Sequence, residues 1–399
     1  MSTKTRWSNV LLLFTSQALF QTGTILVMTL SGMVGLKLAP EVSLSTLPIA
    51  MISVGTATMM IPASLIIKKI GQRKGFMMGT LAGVLAGLLS FYAIIAGSFI
   101  LFIVGNMLVG AHQGFAQYYR FAAADAVPEH QKGKAISFVI AGGVVAAFAG
   151  PNLAKITQHL GAMPYAYSFI SITFLSIIAL CVLFFLKLPQ NNKTKNQKRE
   201  IQVQERPLIE IIRKRTTITA LISSAIGYSV MMMIMTATPL AMHHYGFSSD
   251  QSVTVIQWHV LGMFVPSFFT GILIEKFGVH KIVLSGIIIL FLFLIFALIG
   301  TGYANFILAL ILLGVGWNFM YIGGSTLLTK AYQPAEKEKV QAFHDFFVFG
   351  AISLSGLSAG GLLKYWGWHG INIAVVPLLL IALVSTITYA MYRKTAKAI

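Results

Sequence analysis

Apolar runs of about twenty residues, nearly free of charge, recur from one end of this chain to the other. A helix of about 20 residues spans the hydrocarbon core of a bilayer. Inside that core each backbone N–H and C=O must find its partner within the protein, and a helix does this within one segment. Twelve such spans are expected, near 9–36, 45–67, 75–97, 98–119, 135–158, 164–187, 216–241, 250–274, 282–300, 304–328, 341–363 and 371–392. Charged residues make up only 10% of the chain, against about 25% in soluble domains. The expected fold class is therefore all-α, a polytopic membrane protein with the lipid bilayer as its solvent. No catalytic triad, phosphate loop or zinc-protease motif is present, so an enzyme is not expected.

The charge pattern fixes an expected topology. Lys and Arg collect in cytoplasmic loops. With both termini inside, all 29 basic residues except Lys37, Lys155 and Lys364 fall on the cytoplasmic side. The net charge of +18 then reads as topology. A nucleic-acid partner is not expected, because the basic residues are scattered over loops. The first apolar run is too long for a signal peptide and lacks a clear cleavage site. The single cysteine, Cys181, rules out an internal disulfide.

The chain repeats itself. Residues 64–74 and 271–281 share the pattern of an apolar helix end, a basic pair or Glu-Lys, a glycine, and a final Lys, at an offset of 207. Gly110 and Pro128 match Gly316 and Pro334 at an offset of 206. The polar stretch 188–215 separates the copies. The expected organisation is a six-helix half at 1–187, a cytoplasmic linker at 188–215 and a second six-helix half at 216–399. Parallel repeats of this kind are used by transporters that hold substrate near the midplane and rock around it.

Two short patterns suggest a cargo. Met231-x-x-x-Met235 and His259-x-x-x-Met263 each place two side chains on one helix face. Thioethers favour Cu(I), and a neutral imidazole also binds copper. Packing is the plain alternative for each methionine alone, since Met fills irregular cores. Met242, His243 and His244, at the outer end of span seven, form a candidate outer capture site. All eleven acids are expected outside the apolar cores of the spans. The helix ends carry a candidate cytoplasmic gate: Asp345 is expected to meet Lys68 or Lys69, and Glu275 to meet Arg120 or Lys134.

These motifs resemble the major facilitator superfamily. Gly271, Glu275, Lys276, Gly278 and Lys281 occupy that family's loop signature, and the first copy departs from it with Ser64 and Lys68. Asp125-Ala-Val-Pro128 with Gly133-Lys134 resembles its loop between spans four and five, and Gly150-Pro151 resembles its antiporter motif. The resemblance implies twelve transmembrane helices in two pseudo-symmetric bundles. The stretch 113–125, the run Phe343-His-Asp-Phe and the Met/His pairs look like the CcoA-type copper importers. That likeness implies a secondary importer of copper, as Cu(I), in a bacterial inner membrane. Met231, Met235, His259 and Met263 would be its metal ligands, with copper as transported substrate and no permanently bound cofactor. The alternative is a proton-linked carrier or exporter of an organic solute or drug; a membrane sensor or receptor ranks third.

Overall fold

The computed structural model describes residues 3–41, 44, 47–158, 160–188 and 206–398. Most of the linker, including Lys193, Lys195, Lys198 and Arg199, lies outside the described residues. The helices in the first part of the chain are α1 (Thr3–Leu38), α2 (Leu47–Ile70), α3 (Gln72–Ile95), α4 (Phe99–Ala116), α5 (Tyr119–Ala126), α6 (Lys132–Ile140), α7 (Gly142–Thr157) and α8 (Ala166–Phe184). They are followed by α9 (Leu208–Ile212), α10 (Arg215–His244), α11 (Ser249–Phe264), α12 (Ser267–Phe277), α13 (Val279–Ile299), α14 (Tyr303–Leu328), α15 (Lys337–Ala374) and α16 (Val376–Ala398). Among the described residues there is no strand.

Eleven stretches of the described residues are helical, long and apolar enough to cross a membrane. The last of them runs over Ser358–Tyr392 and contains a break at Gly367, where φ is 64° and the backbone leaves the helical region. Residues 337–366 and 368–392 on either side of that break correspond to the expected eleventh and twelfth spans. The fold is thus the multi-helix membrane architecture that the apolar runs require.

The chain forms two compact units. The first comprises Met1–Pro128, Gly142–Pro207 and Gln333–Phe346; the second comprises Glu129–Ala141, Leu208–Tyr332 and Phe347–Ile399. Each sequence half therefore lends one short segment to the other half's unit. Within the first unit, Leu26, Ile52, Ala86, Phe102, Val109 and Phe169 form one buried core drawn from α1, α2, α3, α4 and α8. Phe102 and Phe169 meet edge to face, 5.0 Å between centroids. In lipid such cores are held by close packing more than by the hydrophobic effect, since the tails outside are equally apolar.

The repeat seen in sequence is also a repeat in backbone. Gly71, between α2 and α3, has φ 88° and ψ 156°; Gly278, between α12 and α13, has φ 89° and ψ 147°. This extended positive-φ region is nearly closed to residues with a Cβ. Each glycine ends one helix and caps the next, which turns the chain sharply between antiparallel spans. Gly71→Ala and Gly278→Ala are each expected to cost about 1–3 kcal/mol. Thermal unfolding of the purified protein in detergent checks this, and an unchanged midpoint for both would contradict it.

Candidate functional site

The first unit contains a buried charge cluster built around the start of α15. Asp345 is fully buried. Its Oδ1 accepts a hydrogen bond from an Arg120 guanidinium nitrogen at 2.5 Å, and Arg120 is only 3% exposed. The same oxygen lies 2.8 Å from Nδ1 of His344, itself fully buried. A second Arg120 nitrogen donates to the Gln117 side chain at 2.6 Å and to the Gln117 carbonyl at 2.8 Å. Three further ties hold this segment. Lys337 Nζ donates to Asp125 at 2.9 Å. Arg206 grips Glu336 through Nε at 2.8 Å and a terminal nitrogen at 2.6 Å. Lys339 donates to the Arg206 carbonyl at 2.7 Å. Residues 333–346 are held within the first unit by paired charges, and the chain leaves that unit after Phe346, the residue that follows Asp345.

Arg120 and Asp345 were both gate candidates, and the structure brings them together, though not in the expected pairing. Arg120 takes the place that Lys68 or Lys69 was expected to fill. Both lysines are exposed on α2. A buried carboxylate selects a planar, weakly hydrated guanidinium over a strongly hydrated ammonium, and Arg120 sits buried on α5. The Lys68 charge instead acts on Glu338. Glu275 and Lys134 are both exposed. Two of the acids, Asp345 and Glu336, are fully buried within the protein, and both lie outside the candidate spans. Hydrogen bonds from Arg206 pull the Glu336 carboxyl down to about 2 against the opposing effect of burial, with help from the Gln333 N–H. That tie contributes above about pH 4.5 and is lost as pH falls toward 2, so it is constant near neutrality.

The second unit holds the matching borrowed segment, α6. Ser137 Oγ donates to the Ser267 carbonyl and accepts from the Gly271 N–H at 3.0 Å. A Cβ on Gly271 would press into Lys134 Cα and sit 2.8 Å from the Gly133 carbonyl oxygen. The signature glycine is there because α6 and α12 touch backbone to backbone. Ser64 occupies the equivalent place in the first unit, where its hydroxyl donates to the Ile61 carbonyl at 2.8 Å.

The four metal candidates lie on α10 and α11. Met231 and Met263 are buried, Met235 is half-buried and His259 is fully buried. His259 Nδ1 faces the Leu310 carbonyl of α14 at 2.7 Å, and its Nε2 has no hydrogen-bond partner. α14 packs along both α10 and α11, which touch each other only lightly. Backbone contact at Gly314 with His259 and Met263 seats this part of α11 on α14. The outer triplet splits: Met242 is buried while His243 and His244 face outward. Among the described residues, no group of three or more His, Cys, Asp or Glu side chains is placed to hold a metal ion.

What the sequence reading missed is an aromatic cluster at the same level of the second unit. Trp317 and Tyr321, one helical turn apart on α14, stack at 5.2 Å with an angle of 16° between planes. Tyr228 of α10 meets Trp317 at 5.2 Å and Tyr321 at 5.1 Å, both edge on. Phe264 of α11 meets Trp317 at 5.9 Å, and Phe349 of α15 meets Tyr228 at 5.9 Å. Tyr228 is half-buried, and Trp317 Nε1 is buried without a hydrogen-bond partner. The Trp-x-x-x-Tyr spacing was the available signal. The other four rings, of Trp317, Tyr321, Phe264 and Phe349, are buried.

Helices of this length, repeated in two units with polar latches at matching places, define a multi-span secondary transporter. The chain belongs to the major facilitator superfamily: the family model described as Major Facilitator Superfamily matches residues 12–265 and 221–398. The chain is 40% identical over 380 residues to the riboflavin transporter RfnT of Brucella anthropi, covering 95% of both chains. It is 28% identical over 359 residues to the uncharacterized MFS-type transporter YddS of Bacillus subtilis, covering 85% of this chain and 81% of that one. Among solved structures, the E. coli fucose:proton symporter FucP matches with TM-score 0.72 at 15% identity, covering 94% of this chain and 98% of that chain. The human organic anion transporter MFSD10 matches with TM-score 0.75 at 13% identity, covering 96% and 99%. These two show the fold alone. A kinship with copper importers, expected from the Met/His pairs, is not what the relatives give: the 40% relative is a riboflavin transporter.

Proposed function

We propose that this chain is a secondary transporter of an organic solute of the flavin class, with riboflavin as its substrate. The observation that carries this is 40% identity to a riboflavin transporter across 95% of both chains. Flavins are planar, mostly apolar ring systems with polar edges. The aromatic cluster of Tyr228, Trp317, Tyr321, Phe264 and Phe349 supplies faces of that kind. Aromatic pairs add about 0.5–1.5 kcal/mol beyond area burial. Tyr228 is the half-buried member of the cluster and so the one that a solute would meet. A net transport step follows from alternating access, in which the solute site opens to one side of the membrane and then to the other. The same reading replaces copper as cargo and makes Met231, Met235 and Met263 packing residues of α10 and α11.

The test is growth. A bacterial strain unable to make riboflavin and lacking its own uptake system should grow on low external riboflavin when it expresses this chain. Tyr228→Leu, which removes the ring from three aromatic contacts, should raise the riboflavin needed by about 2–10-fold, the equivalent of about 0.5–1.5 kcal/mol. No rescue by the well-expressed wild-type protein would reject the reading. The orientation is part of the proposal: both termini and the linker face the cytoplasm, as the basic loops require. In a Cys181→Ser background, a cysteine placed by Lys198→Cys should react with an impermeant thiol reagent only after the cells are opened. Labelling in intact cells would invert the topology.

A further inference from the structure

We propose that the cytoplasmic half of the seam between α10 and α16 is a binding groove for one anionic phospholipid, with Arg215 as its phosphate site. The proposal is independent of the cargo and takes only its leaflet from the orientation given above. Both helices belong to the second unit. A groove of about 520 Å³ opens between them. It runs along α10 from Arg215 to Ile222 and along α16 from Tyr389 back to Leu380. At 1.5 Å per residue these stretches are about 10 and about 13 Å long. The hydrocarbon core of a bilayer is about 30 Å thick, so the groove is about one leaflet deep.

The walls of the groove suit an acyl chain. Ile218, Ile222, Leu380, Ile381 and Val384 line it, and the last three are 48%, 52% and 63% exposed. Lipid tails are as apolar as these side chains, so a tail can lie between them without desolvating anything polar. The hydroxyls along the groove are already satisfied by the protein. Those of Thr219 and Ser385 hydrogen-bond to each other at 3.2 Å and tie α10 to α16. Thr388 donates to the Val384 carbonyl at 2.7 Å. Satisfied polar groups of this kind are what a lipid-facing surface requires.

One end of the groove is cationic. Arg215, the first residue of α10, is exposed, and its guanidinium lies over the Tyr392 ring, 5.0 Å from the centroid. That contact holds the guanidinium plane at the mouth of the groove and leaves N–H groups at its edge. A guanidinium grips a phosphate through two parallel hydrogen bonds. Among the described residues no carboxylate pairs with Arg215. Arg213 and Lys214 precede it, and Arg393, Lys394 and Lys397 fall on the last turns of α16. Both helices thus bring basic residues to the same end, and Glu210 is the only acid from 208 to 222 or from 376 to 399. Basic residues beside a membrane span attract anionic lipid of the cytoplasmic leaflet. A free phosphate would use Arg215 and leave the apolar walls bare. A zwitterionic lipid offers a phosphate already balanced by its own cation. An anionic phospholipid satisfies both ends, with its phosphate on Arg215 and a tail between the helices.

The experiment is native mass spectrometry of the purified full chain, released from micelles that contain phosphatidylglycerol or phosphatidylcholine with the same acyl chains. It counts the lipids that stay bound. The wild type should retain one phosphatidylglycerol at a concentration about fivefold lower than it needs for phosphatidylcholine, the preference expected from one basic side chain at an anionic headgroup. Arg215→Gln should bring phosphatidylglycerol down to the phosphatidylcholine level. Val384→Trp, at a position 63% exposed, fills the groove and should remove the retained lipid. A wild type that holds the two lipids alike, or either variant holding phosphatidylglycerol as the wild type does, overturns the proposal. So does displacement of phosphatidylglycerol by inorganic phosphate alone, which would make Arg215 a site for the free ion. A lipid-free dimer in place of a lipid-bound monomer would give the groove to a second copy of the chain and overturn it as well. Thermal unfolding without added lipid checks that both variants are folded. Should either fail, the comparison of the two lipids on the wild type still decides.

Discussion

Asp345→Ala is expected to abolish net transport and to cost about 3–5 kcal/mol of stability, the usual penalty for leaving one partner of a buried ion pair uncompensated. Arg120, at 3% exposure, would keep its charge after losing the Asp345 carboxylate, and the start of α15 would lose its tie to Arg120. Arg120→Ala should be nearly as damaging, because it leaves the Asp345 charge buried beside a single imidazole. The double variant Arg120→Ala/Asp345→Ala should recover part of the stability, since neither charge is then stranded. Thermal unfolding and riboflavin uptake on all four proteins form a double-mutant cycle. Additive effects within about 0.5 kcal/mol would show that the pair is not coupled, and the tie between α5 and α15 would lose its energetic basis.

Gly271→Val carries the second large effect. The α6–α12 contact is made at backbone distance, with Gly271 N–H donating to Ser137 and the Gly133 carbonyl 2.8 Å from where a Cβ would stand. A branched side chain cannot fit without separating the two helices. Overpacking of a tight contact costs about 1–3 kcal/mol, and here it falls on the segment that the second unit borrows from the other sequence half. The expected result is a protein present in the membrane at reduced level with uptake lowered well beyond that reduction. Ser64→Ala, at the equivalent place in the first unit, removes one hydroxyl and adds no volume, so its effect should be much smaller. Equal, mild effects of the two substitutions on uptake per molecule would contradict the packing argument.

The fold was legible because the bilayer leaves the chain so few choices. Apolar runs, basic loops and the glycines at 71 and 278 each report a constraint imposed one residue at a time: span length, charge placement and a backbone angle closed to other residues. The gate was half legible. Arg120 and Asp345 could be marked as charges at helix ends, but their pairing depends on burial of the α5 face across 225 residues of sequence. Exposed Lys68 and Lys69 look equally suitable in a string of letters. His344 stood in a noticed motif, yet its contact with Asp345 appears only in the structure.

The relatives give no support for the copper cargo, and the spacing that suggested it has a limit of its own. The i, i+4 spacing of Met231 with Met235 and of His259 with Met263 does put each pair on one helix face. It carries no information about which neighbour that face meets. α14 packs along both helices, and its Leu310 carbonyl takes one nitrogen of His259. The Trp317 and Tyr321 pair obeys the same spacing rule on α14, and it needed Tyr228 from α10 and Phe264 from α11 to become a recognisable cluster. Helical periodicity therefore identifies faces, and the third helix decides what they do.

The central claim is that the cargo is a flavin-class solute, and one side-by-side measurement tests it most directly. The purified chain in proteoliposomes is offered tritiated riboflavin in one set of vesicles and radioactive copper, kept as Cu(I), in another. The account predicts saturable riboflavin uptake that excess unlabelled riboflavin suppresses, with copper no higher than in empty vesicles. It also predicts that Met231→Leu, which keeps volume and removes the thioether, leaves riboflavin uptake within about twofold of wild type, as a volume-conserving core exchange should. Copper accumulation that depends on Met231 and His259, with riboflavin at the level of empty vesicles, would contradict the account.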